Sequence, residues 1–211
     1  NLPLIEDVFR MNEILKGMGS NISWSGERSI RIKNSKINPL KTRNDLICLL
    51  RGSVLFFGPL LARFGQVKFP QPGGCIIGAR PIDTHLDGFL QLGVSINKNK
   101  NKYLLRAPKK KAKEVVLNEF SVTATENLML FASLFPGKTV IKTADQDYQV
   151  KELASFLKKM GVKIKGAGTH EIIIEGSSKL KGVKHRLIYD PIEAGTFILL
   201  AAATKGNVLV K

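Results

Sequence analysis

Residues 71–89 read QPGGCIIGARPIDTHLDGF, and they set a thiol among groups that could activate it. Cys75 follows Gly73 and Gly74, and Gly78 and Arg80 come shortly after it. Pro81 then opens a segment with helical spacing. A thiol reacts through its thiolate, and a nearby guanidinium or helix N-terminus favours that form. A proline suits the first helical turn, where its missing N–H costs nothing. The remaining free N–H groups of that turn, together with the Arg80 guanidinium, would make an anion site. Cys48 sits in an apolar run instead and reads as a small buried hydrophobe.

Two other places could join such a site. Arg51 interrupts the run LICLLRGSV, where a charge is costly unless it has a partner or its stem reaches solvent. NEFSVTATEN (118–127) leads into an apolar helix, so Ser121 and Val122 fall at its N-terminal approach. A hydroxyl and free N–H groups there can hold an anionic group, or Ser121 or Thr123 can simply cap the helix. His85, next to the cysteine loop, reads as a histidine on a helix surface.

The elements that must position these residues recur. EILKGMGSNISWSGERSIRI (13–32), GFLQLGVSINKNKNKYLLRA (88–107) and SFLKKMGVKIKGAGTHEIIIEG (155–176) share one layout. Each is the end of an amphipathic helix, a glycine, a strand, a polar turn and a second strand. Gly19, Gly93 and Gly161 fit the left-handed residue that closes a helix. The segments 43–69, 121–142 and 191–211 alternate with these, each giving an apolar helix, a glycine turn and a strand. A helix apolar on nearly every side belongs inside. The pattern therefore predicts an α/β protein of repeated units, with buried helices beneath outer sheets and a repeat of roughly 70 residues.

Composition narrows the classes. The chain has 211 residues, 44% of them hydrophobic, enough for one or two ordinary cores. The acids in NLPLIEDVFRMNEILKG and its lack of a continuous apolar stretch argue against a signal peptide. The longest apolar run is broken by Arg51, Ser53, Gly58-Pro59 and Arg63, which argues against a membrane span. Two cysteines make no disulfide framework, and a reducing cytoplasm is the expected setting. The net charge of +16 comes mostly from scattered lysines, apart from NKNKNK (97–102) and PKKKAK (108–113). Such runs usually face solvent, and no aromatic-rich basic strand points to nucleic acid. A basic nucleic-acid-binding module and an inactive homologue are the alternative readings. The first residue is Asn1, and the pattern stops just into a further unit, so the chain reads as part of a longer protein. Residues 1–188 are expected to form a first domain, and 189–211 the start of a second whose remainder is absent.

The residues FPQPGGCIIGARPIDTHLDGFLQLGV resemble the signature loop of the UDP-N-acetylglucosamine enolpyruvyl transferases. LLRGSVLFFGPLLARFG, SVTATENLMLFASLFPGKTVI and DPIEAGTF agree with it, and the likeness spans essentially the whole chain. The related shikimate-pathway enolpyruvyl transferase shares the repeat fold but not this loop. The resemblance implies an inverse α/β barrel with a cleft between two domains. It also implies transfer of the enolpyruvyl group of phosphoenolpyruvate to the 3′-hydroxyl of UDP-N-acetylglucosamine, without cofactor or metal, on the path to peptidoglycan. Both substrates are implied partners; a membrane and nucleic acid are not.

By the same resemblance Cys75 is the general acid toward the enolpyruvate methylene and the residue that fosfomycin alkylates. Arg80 contacts phosphoenolpyruvate and Arg51 the nucleotide sugar. Pro81, Ile82, Asp83 and Thr84 line the uridine side, and Glu119, Phe120, Ser121 and Val122 touch the nucleotide. Glu119 departs from the family, which has lysine there, and is expected to point away or to act through its backbone. Gln149 and Pro191 also depart, where an acid and an arginine are common. The family's N-terminal lysine-asparagine pair, its second-domain aspartate and its second-domain arginines have no counterpart here. The 211 residues are therefore expected to carry half a site and to be inactive alone.

Overall fold

The computed structural model describes residues 1–73, 81–107, 113–134 and 137–210. Helix α1 (Glu6–Gly17) runs into the hairpin β1 (Asn21–Gly26) and β2 (Ser29–Lys33). Then come α2 (Asn44–Leu49), a 3-10 stretch Arg51–Phe56, α3 (Phe57–Phe64) and β3 (Gln66–Pro70). The middle of the chain holds α4 (Asp83–Gln91), β4 (Ser95–Asn99), β5 (Lys102–Arg106), β6 (Glu114–Val116) and α5 (Val122–Ala132). It closes with β7 (Gly137–Lys142), α6 (Tyr148–Met160), β8 (Lys163–Lys165), β9 (Glu171–Gly176) and α7 (Pro191–Thr204).

The expected repeat is present as a β-α-β-β unit. In the second unit the strands lie in the order β3-β5-β4, and in the third β7-β9-β8, each pair antiparallel. The first unit contributes the two-stranded β1-β2 ladder, and β6 adds to the third sheet in parallel with β7. Gly19, Gly93 and Gly161 all have positive φ, +102°, +85° and +112°. A side chain in that region is strained, so the glycine lets the chain leave each amphipathic helix toward its next strand.

The core lies where α3 and α5 cross beneath the sheets, with Phe57 and Phe69 stacked at 5.7 Å and Phe89 edge-on to Phe131 at 5.4 Å. The helices approach closely at two glycines. A Cβ on Gly58 would stand 2.3 Å from the Asn127 carbonyl oxygen, and one on Gly88 would meet Leu128 at 2.9 Å. At the open edge of β6, the Gln91 side chain stands in for a strand. Its Nε2 donates to the Val116 carbonyl at 2.8 Å and its Oε1 accepts from the Val116 N–H at 3.0 Å. Gln91→Ala is expected to cost about 1–2 kcal/mol in urea unfolding, the value of losing a paired backbone donor and acceptor. An unchanged midpoint would show that water replaces the amide without loss.

Three expectations about the apolar helices do not hold. The segment 43–64 is not one helix. It breaks at Leu50, because the Ser53 hydroxyl is placed against the carbonyls of Ile47 and Leu50, at 2.9 and 2.6 Å, and helps satisfy the end of α2. Cys48 is exposed, not buried: the short α2 turns Leu46 and Ile47 inward and leaves Cys48 and Leu49 outside. Helix α7 buries none of its residues, and 205–210 form no strand; among the described residues only Ala194, Gly195 and Ala201 of this segment are even half-buried. No helix of the described residues is long and apolar enough to cross a membrane.

Candidate active site

Three chain segments meet at one end of the α4–α5 pair: the start of the 3-10 stretch, the residues that open α4, and those that lead into α5. Cys75 and Arg80 lie outside the described residues. The entrance to their loop is described. Gly73 donates its N–H to the Ile47 carbonyl at 3.1 Å, and a Cβ there would sit 2.2 Å from the Cys48 carbonyl oxygen. Only glycine fits this passage.

Arg51 reaches across to the opening of α4, where its Nη2 donates to the Pro81 carbonyl at 2.8 Å. That carbonyl is a partner for a charge placed in an apolar run. Ile82 is buried and precedes the first helical turn, Asp83 is exposed within it, and Thr84 follows. The Thr84 hydroxyl donates to Glu119 Oε1 at 2.6 Å. The Glu119 carboxylate is thus held against the first turn of α4. Phe120 is 58% exposed and lies against the His170 ring at 4.7 Å. Ser121 caps α5, its hydroxyl accepting from the Ala124 N–H at 3.3 Å, and Val122 begins the helix half-buried. Ser121 thus caps the helix through its hydroxyl oxygen.

Sequence reasoning misjudged His85. It is 2% exposed, inside the α4–α5 contact. The signal was available, since Ile82, His85, Phe89 and Leu92 follow helical spacing and all four are buried. The Asn127 side chain organises the surroundings. Its Oδ1 accepts from the Gly58 N–H at 2.7 Å, so its Nδ2 hydrogens go to the Val54 carbonyl at 2.8 Å and to His85 Nδ1 at 3.1 Å. A bare Nδ1 leaves the ring proton on Nε2, which donates to the Thr123 hydroxyl at 3.2 Å. Burial, and then the Arg51 charge, lower the His85 pKa to about 4. The histidine is therefore a neutral link tying the openings of α4 and α5 together. It is not an acid or base near neutral pH.

Glu126, one turn into α5, shows the opposite shift. Burial and the neighbouring Asp145 raise its pKa to about 7. Among the described residues no group of three or more His, Cys, Asp or Glu is arranged to hold a metal ion.

The whole chain, residues 1–211, matches the family model for EPSP synthase (3-phosphoshikimate 1-carboxyvinyltransferase). The chain belongs to the EPSP synthase family. Within it, the chain is 43% identical over 210 residues to UDP-N-acetylglucosamine 1-carboxyvinyltransferase 1 of Carboxydothermus hydrogenoformans. It is 44% identical over 212 residues to the protein of that name in Caldanaerobacter subterraneus. All of this chain is covered in both cases, but only 50% of each relative, so it spans about half their length. The EPSP synthase family fold is also that of the enolpyruvyl transferase NikO from Streptomyces tendae, with a TM-score of 0.79 over 93% of this chain and 47% of that one, at 21% identity. An EPSP synthase from Acinetobacter baumannii gives 0.70 over 93% and 46%, at 17% identity. The fold class read from the repeats is therefore that of the family.

Proposed function

We propose that the protein takes part in transferring the enolpyruvyl group of phosphoenolpyruvate to the 3′-hydroxyl of UDP-N-acetylglucosamine, in the cytoplasm, toward peptidoglycan. Residues 1–188 form the first domain of the enzyme and 189–211 begin the second. The observation that carries the substrate side is the reach of Arg51 to the Pro81 carbonyl, which sets a guanidinium at the opening of α4, the helix whose first turn also holds the Thr84–Glu119 bond. A sugar diphosphate fits such a mouth: cations and free helical N–H groups for its phosphates, hydroxyl and carboxylate groups for its hydroxyls.

Enolpyruvyl transfer needs a proton to reach the methylene carbon as the acceptor hydroxyl adds, and to leave it again as phosphate departs. Cys75 takes that role, with Arg80 holding the phosphate of phosphoenolpyruvate. Cys75 stands five positions before Arg80 in the sequence, and a thiol whose thiolate is favoured by a nearby cation exchanges a proton readily near neutral pH. Its thiolate is also the nucleophile that fosfomycin would alkylate. Arg51 and Ser121 face the nucleotide sugar, and His85 holds the openings of α4 and α5 at a constant separation.

Calorimetric titration separates the acceptors. UDP-N-acetylglucosamine is expected to bind, and Arg51→Ala to weaken it roughly tenfold or more, the loss of one charge-assisted contact. Shikimate 3-phosphate is expected to give no heat. Tighter binding of shikimate 3-phosphate, or an unchanged affinity in the Arg51 variant, would remove this reading.

A further inference from the structure

The β-α-β-β unit occurs twice with a full sheet, and the two sheets treat charge differently. In β7-β9-β8 all the strand lysines but Lys165, which lies opposite Ile173, face acids. Lys138 pairs with Glu175 and Lys142 with Glu171 in register, Lys163 Nζ lies 3.6 Å from Glu175, and Lys142 Nζ lies 2.9 Å from Glu114. In β3-β5-β4 no lysine has such a partner. Lys68 lies opposite Leu104, Lys102 opposite Pro70 and Asn99, Arg106 opposite Gln66 and Ser95, and Lys98 opposite Tyr103. The reason is in the sequence: residues 46–82 and 88–113, which supply all three strands, contain no Asp or Glu. None of the ion pairs among the described residues reaches this sheet.

The unbalanced sheet is also hollowed. A cavity of about 720 Å³ is lined by Lys68, Lys100, Lys102, Asn97 and Asn99, among others. A second of about 260 Å³ shares Lys68 and Lys102 with it and continues past Leu40, which is 80% exposed. Together they form a trough with cations and side-chain amides along its length and an apolar contact at one end.

We propose that this trough docks an extended acidic segment of a partner polypeptide. Charge complementarity selects an anion. The Asn97 and Asn99 amides can each donate to and accept from a peptide group. Leu40 offers an apolar anchor. A nucleic-acid strand is disfavoured by the absence of a stacking platform: Tyr103 is 3% exposed, with the Lys98 ammonium 5.4 Å from its ring centre. A bilayer is disfavoured because the surface is concave. This inference does not depend on the enolpyruvyl-transfer reading.

The test is fluorescence anisotropy of a labelled oligo-glutamate peptide of roughly ten residues, long enough to span about 30 Å extended. The peptide is expected to bind the purified protein, more weakly as salt rises. The double variant Lys68→Glu/Lys102→Glu should weaken binding about tenfold or more, and Lys68→Gln/Lys102→Gln by a smaller factor in the same direction. Lys163→Glu/Lys165→Glu, the same charge change on the balanced sheet, should leave affinity within about twofold. Circular dichroism melting confirms that each variant is folded, and the Gln pair stands in if the Glu pair is not. Equal weakening by both charge reversals would reduce the effect to net charge and overturn the proposal. So would tighter binding of oligothymidylate or of phosphatidylglycerol vesicles through the same lysines, or no binding of the peptide.

Discussion

Gly58→Ala is expected to lower stability by about 3–5 kcal/mol, more than overpacking usually costs. The added methyl would stand 2.3 Å from the Asn127 carbonyl oxygen and 2.7 Å from its Oδ1. Neither atom can retreat, since one belongs to the α5 backbone and the other accepts the Gly58 N–H. Helices α3 and α5 must move apart, and the Asn127 amide then loses its fit to Val54 and His85. One methyl thus adds strain and leaves buried polar groups unpaired, a penalty of about 1–3 kcal/mol per group. Set against a typical domain stability of about 5–15 kcal/mol, the variant should be largely unfolded in moderate urea. Circular dichroism during urea titration checks this, and a midpoint equal to the parent's would mean that the helices do not cross at this glycine.

Glu126→Gln is expected to stabilise the protein above pH 7 by about 3 kcal/mol and to have little effect below pH 4.5. The Glu126 pKa is raised from 4.5 to about 7 in the folded state. The folded protein therefore binds the proton more tightly than the unfolded chain, and stability is lost as pH rises from 4.5 through 7. His85 runs the other way, with a pKa lowered from 6.5 to about 4. Between those values the unfolded chain binds the extra proton, so stability falls as pH drops from 6.5 toward 4. Each shift corresponds to about 3 kcal/mol, and over most of the interval the two slopes oppose each other. The glutamine variant removes one slope: its stability relative to the parent should grow steadily with pH up to about 7. A pH-independent difference would show that Glu126 is solvated and titrates normally.

Much of the fold was legible because periodicity and glycine placement are local signals. Gly19, Gly93 and Gly161 marked the helix ends, and the sheets formed where hairpins followed them. What failed depended on partners outside the local sequence. The break at Leu50 comes from one serine hydroxyl, and the exposure of Cys48 follows from that break. Exposure of α7 depends on what lies against it, which an apolar sequence does not specify. At the site, Arg51 contacts Pro81 and Thr84 contacts Glu119, residues that the sequence offers only as separate candidates. These links are not legible in the sequence, because they join residues 30 and 35 positions apart. His85 was missed because its chemistry suggested a surface while its spacing pointed inward.

Helix α7 leaves Ile192, Phe197, Ile198, Leu199 and Leu200 between 47% and 71% exposed, on a chain that carries a net charge of +16. These are the two halves of a colloidal balance. Apolar side chains on neighbouring molecules attract at contact, whereas like net charge repels from farther off. At low ionic strength the repulsion reaches past the range of contact and keeps molecules dispersed. Near 1 M salt the screening length shrinks to about 3 Å, and the helix then meets its counterpart on a neighbouring molecule with little opposition. For these 211 residues as a separate chain, about half the length of their relatives, the basic surplus thus acts as a dispersant for this helix, and salt that strengthens apolar association also removes the repulsion that restrained it.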